Sequence, residues 1–223
     1  MRIRVEYIRW ICVGVLLVAP LSCVAPHVHE ASAPEVERVD PFAEVPPENE
    51  CEEIDARAKE FLEGAKTSRL TIYAVYVMDE PPRHDPEAAK MLARKLEVVG
   101  FERVSVFENP ADLPFEPEPN ELNIFWKRAR SFASEIQAQP LETDYVLMVD
   151  VFADFEEGAV GPVHAATTNG EGQFAYLALR NSHHPVYREI QPKSMDDMFR
   201  LVIEDMRRKM EGEASQSTRR VWQ

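Results

Sequence analysis

Positive charge, glycine and cysteine are all scarce in this chain. Its 223 residues carry 25 Lys and Arg against 39 Asp and Glu, a net charge of −14, with only 8 Gly and 3 Cys. Such an acidic chain lacks the surplus of cations that neutralises nucleic-acid phosphates or anionic lipid headgroups, so both partners are disfavoured. A glycine-rich phosphate loop is also missing. Residues 78–82, after the first predicted strand, read MDEPP, and prolines lack the N–H donors that cradle phosphate.

Length and composition indicate one folded domain with an extended segment. A chain of 25.5 kDa is long enough for one sizeable core. Hydrophobic residues make up 45% of the sequence and charged residues 29%, which is typical of a globular protein. The 17 prolines indicate that part of the chain is stiff and extended.

The N-terminus has the order of an export signal. Three arginines, Arg2, Arg4 and Arg9, precede an uncharged run over residues 10–19. This run is shorter than the roughly 20 apolar residues that cross a bilayer. We therefore favour a signal peptide over residues 1–22 rather than an anchor helix.

The end of this segment resembles the lipobox of bacterial lipoproteins. Residues 21–23 read Leu-Ser-Cys, although Pro20 stands where that family usually has Leu. The resemblance implies that Cys23 receives a diacylglycerol and becomes the new N-terminus after cleavage. A competing small-x-small cleavage motif at residues 31–33 is followed by Pro34, which signal peptidases tolerate poorly. Since residue 24 is not Asp, the analogy favours the outer over the inner membrane.

Residues 23–50 are predicted to form a tether. They combine prolines with acids and only one basic residue, Arg38, a composition that does not collapse into a core. His27 and His29 are interpreted as solvated rather than metal-binding, because two ligands on a tether bind weakly. Cys51 is expected to be a lone cysteine, unless Cys23 escapes lipidation and the two form a disulfide.

Periodicity predicts an α/β domain over residues 51–210, followed by a polar tail at 211–223. Helices are expected at 50–65, from the Asp85 cap to Gly100, from the Asn120 cap to Pro140, and after Ser194. Strands are expected at 70–78, 103–107, 144–155, 160–168, 173–180 and 185–190, with a proline-rich loop at 109–120. Asn169 and Gly170 indicate a hairpin. This order predicts a mixed sheet with a parallel βαβαβ core, an antiparallel meander and a C-terminal helix.

The lipobox-like start, the tether and this element order resemble small periplasmic domains of the TolB amino-terminal type, found in envelope lipoproteins such as activators of penicillin-binding proteins. The segments that carry the resemblance are the strand LTIYAVYVM at 70–78, the helix near 88–99 and the strand TDYVLMVDVF at 143–152. The resemblance implies an adaptor or regulator.

Acids at the predicted strand ends are the first candidates for chemistry. These positions are Asp79, Glu80, Glu108, Asp150 and Asp154. Side chains that follow parallel strands gather at one edge of a sheet, so convergence of two or three would hold Mg²⁺ or Ca²⁺. We favour the simpler interpretation that strand ends carry solvated residues, and predict no metal or cofactor. A metal-dependent hydrolase is the alternative.

Histidines are the second candidates. His183 and His184 adjoin a predicted turn, and His164 lies on a neighbouring predicted strand. Adjacent strand residues point to opposite faces, so His183 and His184 are not expected to share an ion. Ser182 beside His183 lacks the acid and the glycines of a catalytic triad. The sequence therefore does not predict an enzyme.

Charge distribution supports a binding role. No Lys or Arg occurs over residues 131–179, whereas eight acids lie within that stretch: Glu135, Glu142, Asp144, Asp150, Asp154, Glu156, Glu157 and Glu171. A negative surface would steer a basic partner, although a solvated acidic face is also compatible with this pattern. We expect a membrane-tethered periplasmic lipoprotein that binds another envelope protein.

Overall fold

The computed structural model describes residues 48–78 and 81–211. The helices are α1 (Glu48–Gly64), α2 (Pro86–Val98), α3 (Glu121–Ala138), α4 (Pro185–Ile190) and α5 (Met195–Met210). The strands are β1 (Arg69–Val77), β2 (Arg83–His84), β3 (Arg103–Val106), β4 (Tyr145–Asp154), β5 (Ala159–Asn169) and β6 (Phe174–Arg180). Cys23, the tether before α1, Asp79, Glu80 and the tail after residue 211 lie outside the described residues.

One mixed sheet organises the domain, and this confirms the predicted fold class. Strand β1 pairs in parallel with β3 on one side and with β4 on the other, while β4, β5 and β6 follow as antiparallel neighbours. The short β2 pairs antiparallel with the end of β1, beyond β3. The parallel part is therefore the βαβαβ unit β1–α2–β3–α3–β4, and the antiparallel part is the meander.

Helix starts follow the capping residues that the sequence contains. Asp85, Asn120 and Ser194 each accept a hydrogen bond from a backbone N–H in the first turn of the following helix. These side chains satisfy donors that have no partner within the helix. After α2, Gly100 has a φ of 100°, a conformation that glycine adopts without steric cost.

Apolar side chains form a core on each face of the sheet. On one face, α2 and α5 pack over residues such as Ile72, Val149 and Ala165. On the other face, α3 packs Phe125 and Phe132 over the sheet, and we call this the α3 face. Side chains along each strand contribute alternately to the two cores, because successive strand residues point to opposite faces of the sheet.

Residues 185–190 form a helix, so the predicted strand there is wrong. The turn itself is present, since the His184 N–H donates to the Asn181 carbonyl at 2.9 Å. His184 then caps α4, its Nδ1 accepting from the Val186 N–H at 3.3 Å, and Pro185 occupies the first helical position. A proline there starts a helix readily because its φ is already helical.

The β5–β6 hairpin forms where Asn169 and Gly170 predicted it, although another glycine makes the turn. Asn169 Oδ1 accepts from the N–H groups of Glu171 and Gln173, and the residue with a positive φ is Gly172, at 82°.

None of the described helices is long and apolar enough to cross a membrane.

Candidate functional site

A proline-rich segment joins β3 to α3 and lies on the α3 face of the sheet. We call this segment, residues 109–120, the strap. Two tyrosines of β1 hold its backbone: the Ala111 N–H donates to Tyr73 Oη at 2.8 Å, and Tyr76 Oη donates to the Ala111 carbonyl at 2.5 Å. Burial raises the pKa of both phenols, so both hydroxyls stay neutral in these contacts.

A buried arginine of α3 holds the middle of the strap. Arg128 Nη1 donates to the carbonyls of Leu113 and Pro114 at 2.8 and 3.2 Å. On its other side the same guanidinium forms two bonds to Asp150 of β4, Nε to Oδ2 at 3.0 Å and Nη2 to Oδ1 at 2.8 Å. Its Cζ lies 4.7 Å from the centre of the Tyr76 ring.

The ion pair is fully enclosed, because the exposed fractions of the Arg128 and Asp150 side chains are 2% and 0%. Burial opposes the charge on Arg128, but the hydrogen bonds and the charge of Asp150 outweigh burial and raise the pKa of the guanidinium. Desolvation of both ions offsets much of their attraction, so such a pair adds little net stability. Its rigid fork of donors instead fixes the position of the strap relative to the sheet.

The outer side of the strap presents prolines and carboxylates. Its exposed residues are Asn109, Asp112, Pro114, Glu116, Pro117 and Pro119. Lys127 of α3 forms ion pairs with Glu116, at 3.5 Å, and with Glu118. Hydrogen bonding to Lys127 lowers the pKa of Glu118. The strap is therefore held from beneath, and Glu118 remains ionised at neutral pH.

Further acids lie at the same end of the sheet. The Phe115 ring of the strap is 6.4 Å from the ring of Phe152, two residues before the end of β4. The turn after β4 exposes Asp154, Glu156 and Glu157. Asp154 Oδ1 accepts from the N–H groups of Glu156 and Glu157, both at 3.0 Å, and thereby fixes the turn. The strap and this β4–β5 turn together form an acidic surface.

The eight acids expected to form one patch are divided among four places. Asp150 is buried against Arg128. Asp144 pairs with Arg69 at 3.1 Å, at the end of the sheet that also carries Glu142 and the Glu171 turn. Glu135 is half-buried on α3. Only the three acids of the β4–β5 turn reach the acidic surface.

The strand-end acids that are described do not come together. Glu108 precedes the strap, Asp150 lies inside β4 rather than at its end, and Asp154 points into its own turn. No group of three His, Cys, Asp or Glu side chains within residues 48–78 and 81–211 is arranged to hold a metal ion.

The three candidate histidines, His164, His183 and His184, occupy separate environments. His164 is 1% exposed, between the rings of Phe125 and Phe152, with Nε2 at 3.5 Å from Glu121 Oε1. His183 is exposed in the turn, and His184 caps α4. Burial raises the pKa of Glu121, but hydrogen bonds from His164 and Asn181 outweigh it and lower the pKa overall.

Sequence reasoning missed Arg128, although a signal for it was present. The residue lies on α3 between Phe125, Ala129 and Phe132, on the face that the apolar stripe assigns to the core. A charged side chain on such a face needs a buried partner. The strand prediction had assigned Asp150, that partner, to the solvated end of β4.

Comparison with protein-family models, with curated proteins and with solved structures finds no match to this chain.

Proposed function

We propose that the protein is a lipid-anchored component of the bacterial envelope whose domain binds another envelope protein through the strap. The lipobox-like sequence ending at Cys23 supplies the anchor. The tether between Cys23 and α1 lets the domain extend away from the membrane, for which we favour the outer membrane. In this role the protein is an adaptor, as its resemblance to TolB-type lipoprotein domains implies.

The observation that carries this proposal is the fixed backbone of the strap. Four hydrogen bonds tie Ala111, Leu113 and Pro114 to side chains of β1 and α3. A free segment loses conformational entropy when it binds, whereas a segment already held in place loses less. The buried ion pair of Arg128 and Asp150 therefore supports binding more than it supports folding.

The chemistry of the acidic surface indicates the kind of partner. Exposed prolines suit a groove lined by aromatic side chains, and the carboxylates beside them suit a basic rim. Asp112, Glu116, Glu156 and Glu157 would steer such a surface towards the strap and speed association.

Site-directed photo-crosslinking in cells tests the binding role. A photoreactive residue at Glu116, in the strap, is compared with one at Val98, an 86% exposed position on α2. We expect position 116 to capture a discrete envelope protein that position 98 does not. Identical products from both positions would contradict the proposal.

Charge provides the second criterion. Raising ionic strength shortens the range of electrostatic attraction to about 3 Å at 1 M salt, so the complex should weaken as salt rises. Replacing Glu156 and Glu157 by Lys should weaken it further, whereas Glu97→Lys on α2 should have little effect. A complex insensitive to salt and to these substitutions would exclude the acidic surface as the contact.

Anchoring is tested separately. A Cys23→Ser chain is expected to leave the membrane fraction, because it lacks the thiol that accepts the lipid. A Cys23→Ser chain that is still processed and still membrane-bound would show that the anchor lies elsewhere.

A further inference from the structure

The two edges of the sheet differ in their protection. At the β6 edge, α1 contributes Ile54 to one core and Phe61 to the other, and Arg57 Nε donates to the Phe174 carbonyl at 2.6 Å. At the opposite edge, β3 pairs only with β1 among the described strands. An unpaired strand edge presents backbone donors and acceptors to any incoming strand.

The register shows which groups of β3 point outwards. Ser105 is the partner of Thr71, and the Phe107 N–H donates to the Ile72 carbonyl at 2.8 Å. The N–H groups of Ser105 and Phe107 therefore face β1. Because backbone groups alternate along a strand, the N–H and C=O of Val104 and Val106 face away from the sheet.

A groove of about 370 Å³ lies beside β3 on the α3 face, lined by polar side chains and by apolar ones such as Phe107 and Leu141. Thr71 and Ser105, whose hydroxyls are 3.0 Å apart, line this groove. Glu108 and Glu142, both exposed, also line it, together with Thr143. Hydroxyl and carboxylate oxygens accept hydrogen bonds, so this groove suits a cationic side chain.

We propose that β3 receives an extended segment of another protein as an added strand, with a Lys or Arg side chain of that segment in the groove. An added strand would lie about 4.8 Å from β3, and every second side chain would point to the α3 face, as Ser105 does. A lysine or arginine is long enough to reach the carboxylates from there. Main-chain bonds to Val104 and Val106 would supply affinity, and the two glutamates would select the basic residue. The groove adjoins the strap at Asn109, but the proposal does not rest on the binding role of the strap.

Hydrogen exchange at single amides tests the proposal on the full chain in detergent. The probe is the peptide acetyl-Thr-Val-Lys-Val-Thr-Val-amide, with two controls: the same peptide with Glu in place of Lys, and one N-methylated on alternate residues to block strand pairing. We expect the lysine peptide to slow exchange at Val104 and Val106 about tenfold when saturating. Both control peptides should bind more weakly.

Variants of the groove complete the test. Glu108→Gln and Glu142→Gln should each weaken binding of the lysine peptide about two- to fivefold, the effect of one exposed ion pair, while Glu97→Gln should leave it unchanged. Absence of slowing at the two amides, or equal binding of the three peptides, would overturn the proposal. If exchange at these two amides slows as the protein concentration rises without any peptide, a second copy of the chain binds this edge and the proposal is overturned.

Discussion

Replacing Arg128 separates what the buried ion pair contributes to stability from what it contributes to the position of the strap. An Arg128→Met chain leaves the Asp150 carboxylate, which is 0% exposed, without its cation. Removing one partner of a buried pair costs about 3–5 kcal/mol of unfolding free energy. The double variant Arg128→Met with Asp150→Leu removes both charges, so we expect it to recover at least about 2 kcal/mol of that loss.

The position of the strap should respond differently. Both variants lack the donor for the carbonyls of Leu113 and Pro114, so the strap should be released even where stability recovers. Chymotrypsin cleavage after Phe115 measures this release, since a fixed segment is cut slowly. We expect faster cleavage in both variants than in the parent chain.

Urea unfolding of the full chain and the cleavage rate are measured together. The matched control is Arg130→Met, on the same helix, where the guanidinium is 5.8 Å from the Trp126 ring and a loss of only about 0.5–1 kcal/mol is expected. The reasoning is refuted if Arg128→Met costs less than about 1 kcal/mol, or if the double variant is as unstable as the single one. A double variant with unchanged cleavage would show that Arg128 does not hold the strap.

Three further outcomes are expected. Burial of Asp205 acts to raise its pKa, but the charges of Arg180 and Lys209 outweigh burial and bring it to about 2, below the unfolded value of about 3.9. This carboxylate therefore stabilises the fold above about pH 4 and less so as pH falls towards 2, and Asp205→Asn should remove that part of the pH dependence of unfolding. Burial and the charge of Arg180 lower the pKa of His184 to about 4, so the folded state favours the neutral imidazole. The free energy of unfolding should therefore fall as pH drops from about 6.5 to 4. His184→Asn keeps a capping side chain and should flatten this slope. Finally, Asn120→Ala should lower thermal stability through a loss of about 1 kcal/mol, whereas Asn120→Asp should preserve it, because both Asn and Asp accept from the Leu122 N–H. Equal pH profiles in the parent and variant chains, or equal melting of the two Asn120 variants, would contradict these expectations.

The sequence by itself determined most of the secondary structure and the fold class. Asp85, Asn120 and Ser194 start their helices as predicted, because a cap acts on N–H groups only two or three residues away. The apolar run of β1 and the run of β4 are buried on both sides, as central parallel strands require. These features depend on near neighbours along the chain, so the pattern of residues was sufficient to find them.

Only the tertiary structure decided how the surfaces are built. Residues 185–190 had too few positions for periodicity to distinguish strand from helix, and the Pro185 start with its His184 cap produced a helix. Asp150 is an acid inside a strand, and its role follows from Arg128, which lies 22 residues away on another element. The course of the strap and the open edge of β3 likewise depend on which elements become neighbours. Contacts between distant segments are set by packing of the whole chain, and the residue pattern of one segment does not contain them.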